Sequence, residues 1–535
     1  MFRFKGSKVL LFSSLFFLAA CGAAADGGGA EQPEQQQETT QENVQNIVQE
    51  GGHVIWIHPS DPISMDPVRT SDAPSTHVTS QIMEGLVRFD PTVPNVVLEP
   101  LLAESFGRLD DYTWYFNLRQ GVYFHDGAYF NADVVALNFE RIFDPEINAP
   151  QQFLVDMMNE VIIIDDYTVH ITTDFPFGPF AGHLAHRIAF MVSPYAIAEE
   201  EAGGALIADN PIGTGPFQYV RRVVGNYIHL ERFDGYWGSL ALPDSVEFRA
   251  IPEAATRFSM LEAGDAHGGV GMPADYLISQ AIPQMDTILI ESTQVDFIGF
   301  NTSPDHPYLS DIRVRQAITM AINVPDIIEY LAEGFGALPG SLISPLVEFS
   351  PPDATTLGYD PEAARELLIE AGFGDGFTLE FFTNEGNSFR EQVGVFLQGA
   401  LAPLNINVNI SIIPWAAYIE MIDDGLHDLF MLGWVTTTGD ADYALFPLLH
   451  SSQHGSLGNR VFYSNPVVDQ LLERGRIEED SIERAAIYAE IVDIVNYEAP
   501  YVLIRFVEQL FLTNGIDGLD VDFSNTPWFQ NVTLR

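Results

Sequence analysis

Lysine is all but missing from this chain of 535 residues. It occurs at Lys5 and Lys8 and nowhere afterwards. Arginine keeps its charge at high pH, where lysine can lose its proton. The pattern fits an alkaline, saline exterior, with codon drift as the bland alternative. Bases of either kind are scarce: 24 Lys and Arg face 74 Asp and Glu, a net charge of −50. Such an excess of acid repels phosphates and excludes nucleic acid as a partner. Cysteine occurs once, at Cys21. Long apolar runs are absent too. The apolar stretch at residues 9–20 falls short of the roughly 20 residues that span a bilayer as a helix. Catalytic signatures are missing: there is no G-x-S-x-G elbow and no H-E-x-x-H. "PIGTGPFQYVRR" (211–222) has too few glycines and no following lysine for a phosphate loop, so nucleotide binding is rejected.

What is present begins with an export signal. Arg3, Lys5 and Lys8 precede the apolar run, and "LAAC" (18–21) follows. This resembles the bacterial lipoprotein signal, which implies removal of residues 1–20 and a lipid on Cys21 that anchors the chain to the outer face of a membrane. A lone thiol in an exported protein otherwise needs another explanation. Without residues 1–20 the chain keeps 21 bases and 74 acids, a net charge of −53. Residues 21–50 are mostly Gly, Ala, Gln and Glu and predict a flexible tether. The rest, in a chain that is 47% hydrophobic, can bury a large core divided among two or three domains.

Short strands and amphipathic helices alternate, which predicts an α/β fold. "HVIWIH" reads as the first strand, and "EGLVRFD" (84–90) as the end of a helix entering a turn. Trp114, Phe116 and Leu118 mark one face of a strand. "FHDG" (124–127) is a turn, after which Asn131 caps a helix. "VIIIDDYTVHITT" (161–173) is a hairpin. Asp360 with Pro361, and Asn465 with Pro466, each start a helix.

These blocks, in this order, resemble the family 5 solute-binding proteins, the peptide/nickel class of ABC importers. "EGLVRFD", "YTWYFNLRQGVYFHDGAYFNADVV", "IGTGPFQY…LERFDGYWG", "FNTS…DIRVRQAITMAIN", "YDPEAARELLIEAGF", "GW…GDADYALFPLL" and "YSNPVVDQLLERG" carry the likeness over residues 84–475. The resemblance implies an α/β protein of two hinged lobes with an extra domain inserted in the first. Lobe one would comprise 51–90, 211–298 and 496–535, the insert 91–210, and lobe two 299–495. The ligand would lie between the lobes. A monomer, a short peptide ligand and the permease and ATPase of an importer are implied, with no cofactor, no metal and no enzymatic activity.

Within "GWVTTTGDADYALF" (433–446) peptide-binding relatives carry an aspartate three residues past the tryptophan, which neutralises the ligand's amine. Here that position is Thr437, so Asp440 or Asp442 is expected to substitute. The Thr-rich run before Gly-acid-Ala-Asp resembles the glutathione-binding branch. Hydroxyls of Thr436, Thr437 and Thr438 offer donors to carboxylates, and an acid can hold an ammonium. The competing reading is a structural turn whose Asp440 or Asp442 caps a helix. Trp415 and Trp434 are expected to flank the ligand, or else to pack in the core. Arg390 lies near the place where dipeptide-binding relatives hold the carboxylate. Glu84 and Gly85 read as structural. His183 and His186, three apart, fit one helix face but lack a carboxylate or thiolate for a metal, and read as ordinary surface or interdomain histidines. The rival ligands are an oligosaccharide, an opine-like compound or a nickel chelate. The rival activity is a hydrolase with Asp440 and Asp442 as acid and base on one strand face.

Overall fold

The computed structural model describes residues 51–70, 72–92 and 96–535. The signal segment, Cys21 and the tether lie outside the described residues. The first strand, β1 (His53–His58), buries Val54 and Trp56 on one face. A helix follows over Ala73–Ile82, capped by Asp72, whose carboxylate accepts from the Ser75 amide. "EGLVRFD" holds more than the turn expected of it. Its last residues form β2 (Val87–Phe89), paired antiparallel with β3 (Leu98–Pro100). An Arg88–Glu99 ion pair at 2.7 Å crosses the two strands. Alternating V-R-F is strand spacing, and the partner that completes it lies beyond the turn.

An antiparallel sheet comes next, built from β4 (Ala103–Arg108), β5 (Thr113–Leu118), β6 (Met158–Asp165) and β7 (Thr168–Thr173) in the order β4-β5-β7-β6. Trp114, Phe116 and Leu118 point inward as their alternation requires. Asn131 caps the helix Ala132–Ile142 by accepting from the Val134 amide.

The chain then returns to the first sheet through β8 (Phe217–Val223), β9 (Tyr227–Arg232), β10 (Ser245–Ala250) and β11 (Gly268–Val270). Strand β12 (Met285–Phe300) runs on into the second half of the molecule, which supplies β13 (Phe377–Asn384), β14 (Ile406–Ile413) and β15 (Leu429–Val435). Strand β16 (Tyr501–Asn514) closes a ten-stranded sheet of order β14-β13-β15-β12-β16-β11-β1-β10-β9-β8. One lobe packs around Val54, Trp56, Leu230 and Phe248, the other around Phe300, Ile318, Phe381 and Leu397. Each such side chain removed from water contributes about 1.5–3 kcal/mol.

Strands β12 and β16 are long because both lobes use them. Their pairing slips between Glu291 and Val295, beside Gln294. A bulge there re-aims one side chain without ending the strand, and Gln294 lines the cavity between the lobes.

Candidate functional site

A cavity of about 220 Å³ lies between the lobes. Asp72, Thr76 and His77 line it from the helix after β1, and Arg187 from the segment that follows β7. Asn384, Arg390, Trp415, Trp434, Thr437, Tyr443 and Arg460 line it from the second lobe. A smaller cavity of about 70 Å³ shares Thr76, Arg187, Thr437, Ser524 and Thr526 with it and is bordered by Glu84 and Arg88.

The threonine loop leaves the end of β15, which Val435 pairs to Gln294 of β12. Trp434 is nearly buried, and its indole N–H donates to the Tyr443 carbonyl at 3.0 Å, which ties the loop back onto itself. Gly439 turns the chain at φ 70°, a backbone region costly for most other residues. The helix Ala441–Leu449 then begins, capped by Asp440 through the Asp442 amide at 2.8 Å.

This start decides the fate of both aspartates. The strand alternation that the rival hydrolase reading required is not formed; the pair sits at a helix N-terminus, packed inward. Asp440 accepts two hydrogen bonds from the guanidinium of Arg484, at 2.8 and 2.9 Å. Arg484 lies 4.7 Å over the ring of Phe349. Asp442 is fully buried, with Arg476 Nε at 3.4 Å and His183 Nε2 at 3.8 Å. Burial pushes the Asp442 carboxyl up, against the opposing pull of Arg476. Neither aspartate lines the cavity. The capping alternative for Asp440 therefore describes the structure, and an acid–base pair facing a substrate does not.

Of the other expected residues, Thr437, Trp434, Trp415 and Arg390 meet in the cavity wall. Thr436 and Thr438 flank Thr437 but turn inward and are buried, their hydroxyls without partners. Trp415 keeps a buried indole N–H without an acceptor. Arg390 donates to Asn384 Oδ1 at 2.8 Å and has no carboxylate within ion-pair distance among the described residues. Arg460 is paired with Asp423 at 2.7 Å.

His183 and His186 are buried, so the surface reading is wrong; His183 lies 3.8 Å from Asp442, and the His186 ring packs against Tyr443. They do not share a helix face: His183 ends the short helix Phe180–His183, and His186 caps a separate turn. Burial pushes the His183 imidazole down to about 4. Glu84 accepts from Thr214 at 2.8 Å, Tyr236 at 2.7 Å and Trp237 at 2.8 Å, and burial raises its carboxyl despite these donors.

Two charged groups in the wall escaped the sequence reading. Arg187 is buried and donates only to neutral acceptors: the Thr70 carbonyl, Thr76 Oγ1 at 2.6 Å and Gln151 Oε1 at 2.5 Å. Gln151 in turn donates to the Tyr443 hydroxyl at 2.7 Å. Asp72 is buried and accepts from the Ser75 hydroxyl at 2.6 Å; no base stands within ion-pair distance of it among the described residues, although its charge reaches Arg187 from farther off. The "DAPS" start of a helix marked Asp72 as a cap; nothing local marked it as a cavity wall.

Comparison with known proteins agrees with the two-lobed α/β fold. Residues 97–456 match the bacterial extracellular solute-binding proteins, family 5 (middle). The glutathione-binding protein GsiB of Pectobacterium atrosepticum is 32% identical over 472 residues, covering 84% of this chain and 88% of its own. The periplasmic binding protein DppA of Helicobacter pylori, solved with the peptide STSA, superposes with a TM-score of 0.84 at 27% identity, over 91% of this chain and 98% of its own. The oligopeptide-binding protein AppA of Bacillus subtilis, solved with a nonapeptide, gives 0.82 at 24% identity over 91% and 100% of the two chains, a likeness of fold alone.

Proposed function

Since the chain belongs to the bacterial extracellular solute-binding proteins of family 5, we propose that it captures a short peptide with two carboxylates and one ammonium, glutathione above all. Members of this family are non-enzymatic receptors that serve ABC importers. The observation that carries the ligand is the charge left over in the cavity wall. Among the described residues Arg187 and Arg390 have no acid within ion-pair distance and Asp72 has no base within it; Asp72 offsets Arg187 only from beyond that distance. A buried charge without a counter-charge is costly. A glutathione molecule brings the complement, two anions and one cation, and Thr437 adds a hydroxyl beside them. Asp72 takes the part that the sequence assigned to Asp440 or Asp442, and Trp415 and Trp434 cover the peptide backbone.

Closure around the ligand follows the lobes: 51–90, 211–298 and 496–535 form the first, 299–495 the second, and 91–210 the insert. Cys21 carries the lipid and residues 21–50 the tether. The ligand drives closure only by binding the closed form more tightly than the open one.

The test is calorimetry on protein refolded free of co-purified ligand. Reduced glutathione, an ordinary tripeptide and a dipeptide are titrated in parallel. One-to-one binding of glutathione, with the others at least tenfold weaker, is expected. Equal binding of the ordinary tripeptide would discard γ-glutamyl selectivity, and silence from all three would discard the peptide.

A further inference from the structure

Far from the cleft, three neighbouring strands assemble polar side chains that peptide capture does not use. Strand β1 pairs with β10 so that His53 lies beside Ser245, and β10 pairs with β9 so that Glu247 lies beside His229 and Ser245 beside Glu231. Side chains alternate along a strand. These residues, with Arg249, therefore share one face, opposite the buried Trp56.

Glu247 Oε2 stands 3.9 Å from His53 Nε2 and 4.0 Å from His229 Nδ1. One donor atom from each of the three residues lies within 4.8 Å of the other two. The far ends of the same groups are held. Glu247 Oε1 accepts from Arg249 Nε at 2.6 Å, His53 Nδ1 meets Ser245 Oγ at 2.7 Å, and His229 Nε2 lies 3.7 Å from Glu231 Oε1. Outer contacts of this kind fix ring orientation and tautomer around a metal. His229 Nδ1, aimed into the cluster, is buried and has no hydrogen-bond partner.

We propose that His53, His229 and Glu247 form a binding site for a divalent transition ion, zinc in the first place, with solvent completing the coordination. Two imidazoles and one carboxylate are a donor set that zinc accepts, as do nickel and copper. Zinc bonds of about 2.0–2.2 Å set donors about 3.4 Å apart, so the carboxylate and each ring must close by about half an ångström and the two rings by up to about 1.4 Å, which the half-exposed His53 can supply by rotation. The site is separate from the ligand cleft. Strand β1 runs from His53 to His58, after which Pro59 and Ser60 line the cavity. At about 3.3 Å per residue the two sites are about 20 Å apart. An ion here would clamp three strands of the first lobe and stabilise the folded form in proportion to its free concentration.

The experiment titrates zinc chloride into the EDTA-stripped, dialysed protein, without glutathione, whose thiol itself binds zinc. A one-to-one event is expected that vanishes in the double variant H53A/H229A and weakens about tenfold in Ser245→Ala. The double variant should keep its glutathione affinity and its melting temperature in EDTA. With copper(II), electron paramagnetic resonance of the unaltered protein should show nitrogen couplings from two imidazoles. An absent one-to-one event, an event unchanged in the double variant, or a copper spectrum with oxygen ligands only would overturn the site and assign the ions to the acidic surface.

Discussion

The two aspartates of the threonine loop and the charges of the cavity wall are alike in type and burial, and differ in their partners. Asp440 has Arg484, and Asp442 has Arg476. These arginines come from the helices Pro466–Ile477 and Ser481–Glu498, so the pairs bind the loop to the body of its lobe. Arg187, Arg390 and Asp72 line the cavity, and among the described residues their hydrogen bonds go to neutral groups, with Asp72 and Arg187 acting on each other only from beyond ion-pair distance. A charge answered inside the protein holds the fold. A charge left facing the cleft is, under the proposed function, the one that selects a ligand.

Breaking the internal side of this comparison should have the largest effect. Asp440→Ala strands the Arg484 guanidinium in the interior and removes a helix cap, and should cost about 3–5 kcal/mol of stability. Urea unfolding checks it; a loss under about 1 kcal/mol would mean that the pair does not hold the loop. The cavity side should respond in affinity instead. Arg390→Gln should weaken glutathione binding by about 3 kcal/mol in calorimetry, with unfolding of the empty protein shifted by less than about 1 kcal/mol. If stability falls and affinity stays, Arg390 belongs with the internal charges.

Acid sharpens the contrast further. His77 and His183 are pushed down to about 3 and about 4 by burial, from an ordinary 6.5. Both stay neutral when folded, while the unfolded chain takes up protons below 6.5. Stability is therefore intact above that pH and falls as the pH drops towards 4, by up to about 1.4 kcal/mol per pH unit for each ring. Asp442 and Glu84, whose carboxyls are raised by burial, push the other way, gaining stability as the pH falls through their raised values. His183→Asn should flatten the acid limb of a melting-temperature profile between pH 6.5 and 4. The smallest effect belongs to Thr437→Ala: about 1 kcal/mol of glutathione affinity and no change in melting temperature. An affinity unchanged in that variant would remove Thr437 from the site.

Much of the frame was legible because it is written in neighbouring residues. Asp360 before Pro361 caps its helix through the Ala363 amide, and Asn465 before Pro466 does the same through Val467. Asn131 starts the helix predicted for it, and the hairpin β6–β7 turns at Asp166 and Tyr167, one residue beyond the expected Asp165–Asp166. The threonine loop was legible as a cavity wall only at Thr437 and Trp434. Its aspartates were misjudged because their partners stand far along the chain: Arg484 lies 44 residues beyond Asp440. Strand spacing in "GDAD" also loses to the helix that follows it.

The sequence alone determined the acidic charge, the absence of lysine beyond Lys8, the single cysteine, the helix caps and the alternating strands. Each is a matter of composition or of contacts within a few residues. Tertiary structure decided which charges are paired and which remain to meet a ligand. It carried Asp72, Arg187 and Arg390 to one cavity and His53, His229 and Glu247 to one face of a sheet. Burial and distance set the energy of a charge, and both arise only when segments hundreds of residues apart are packed together.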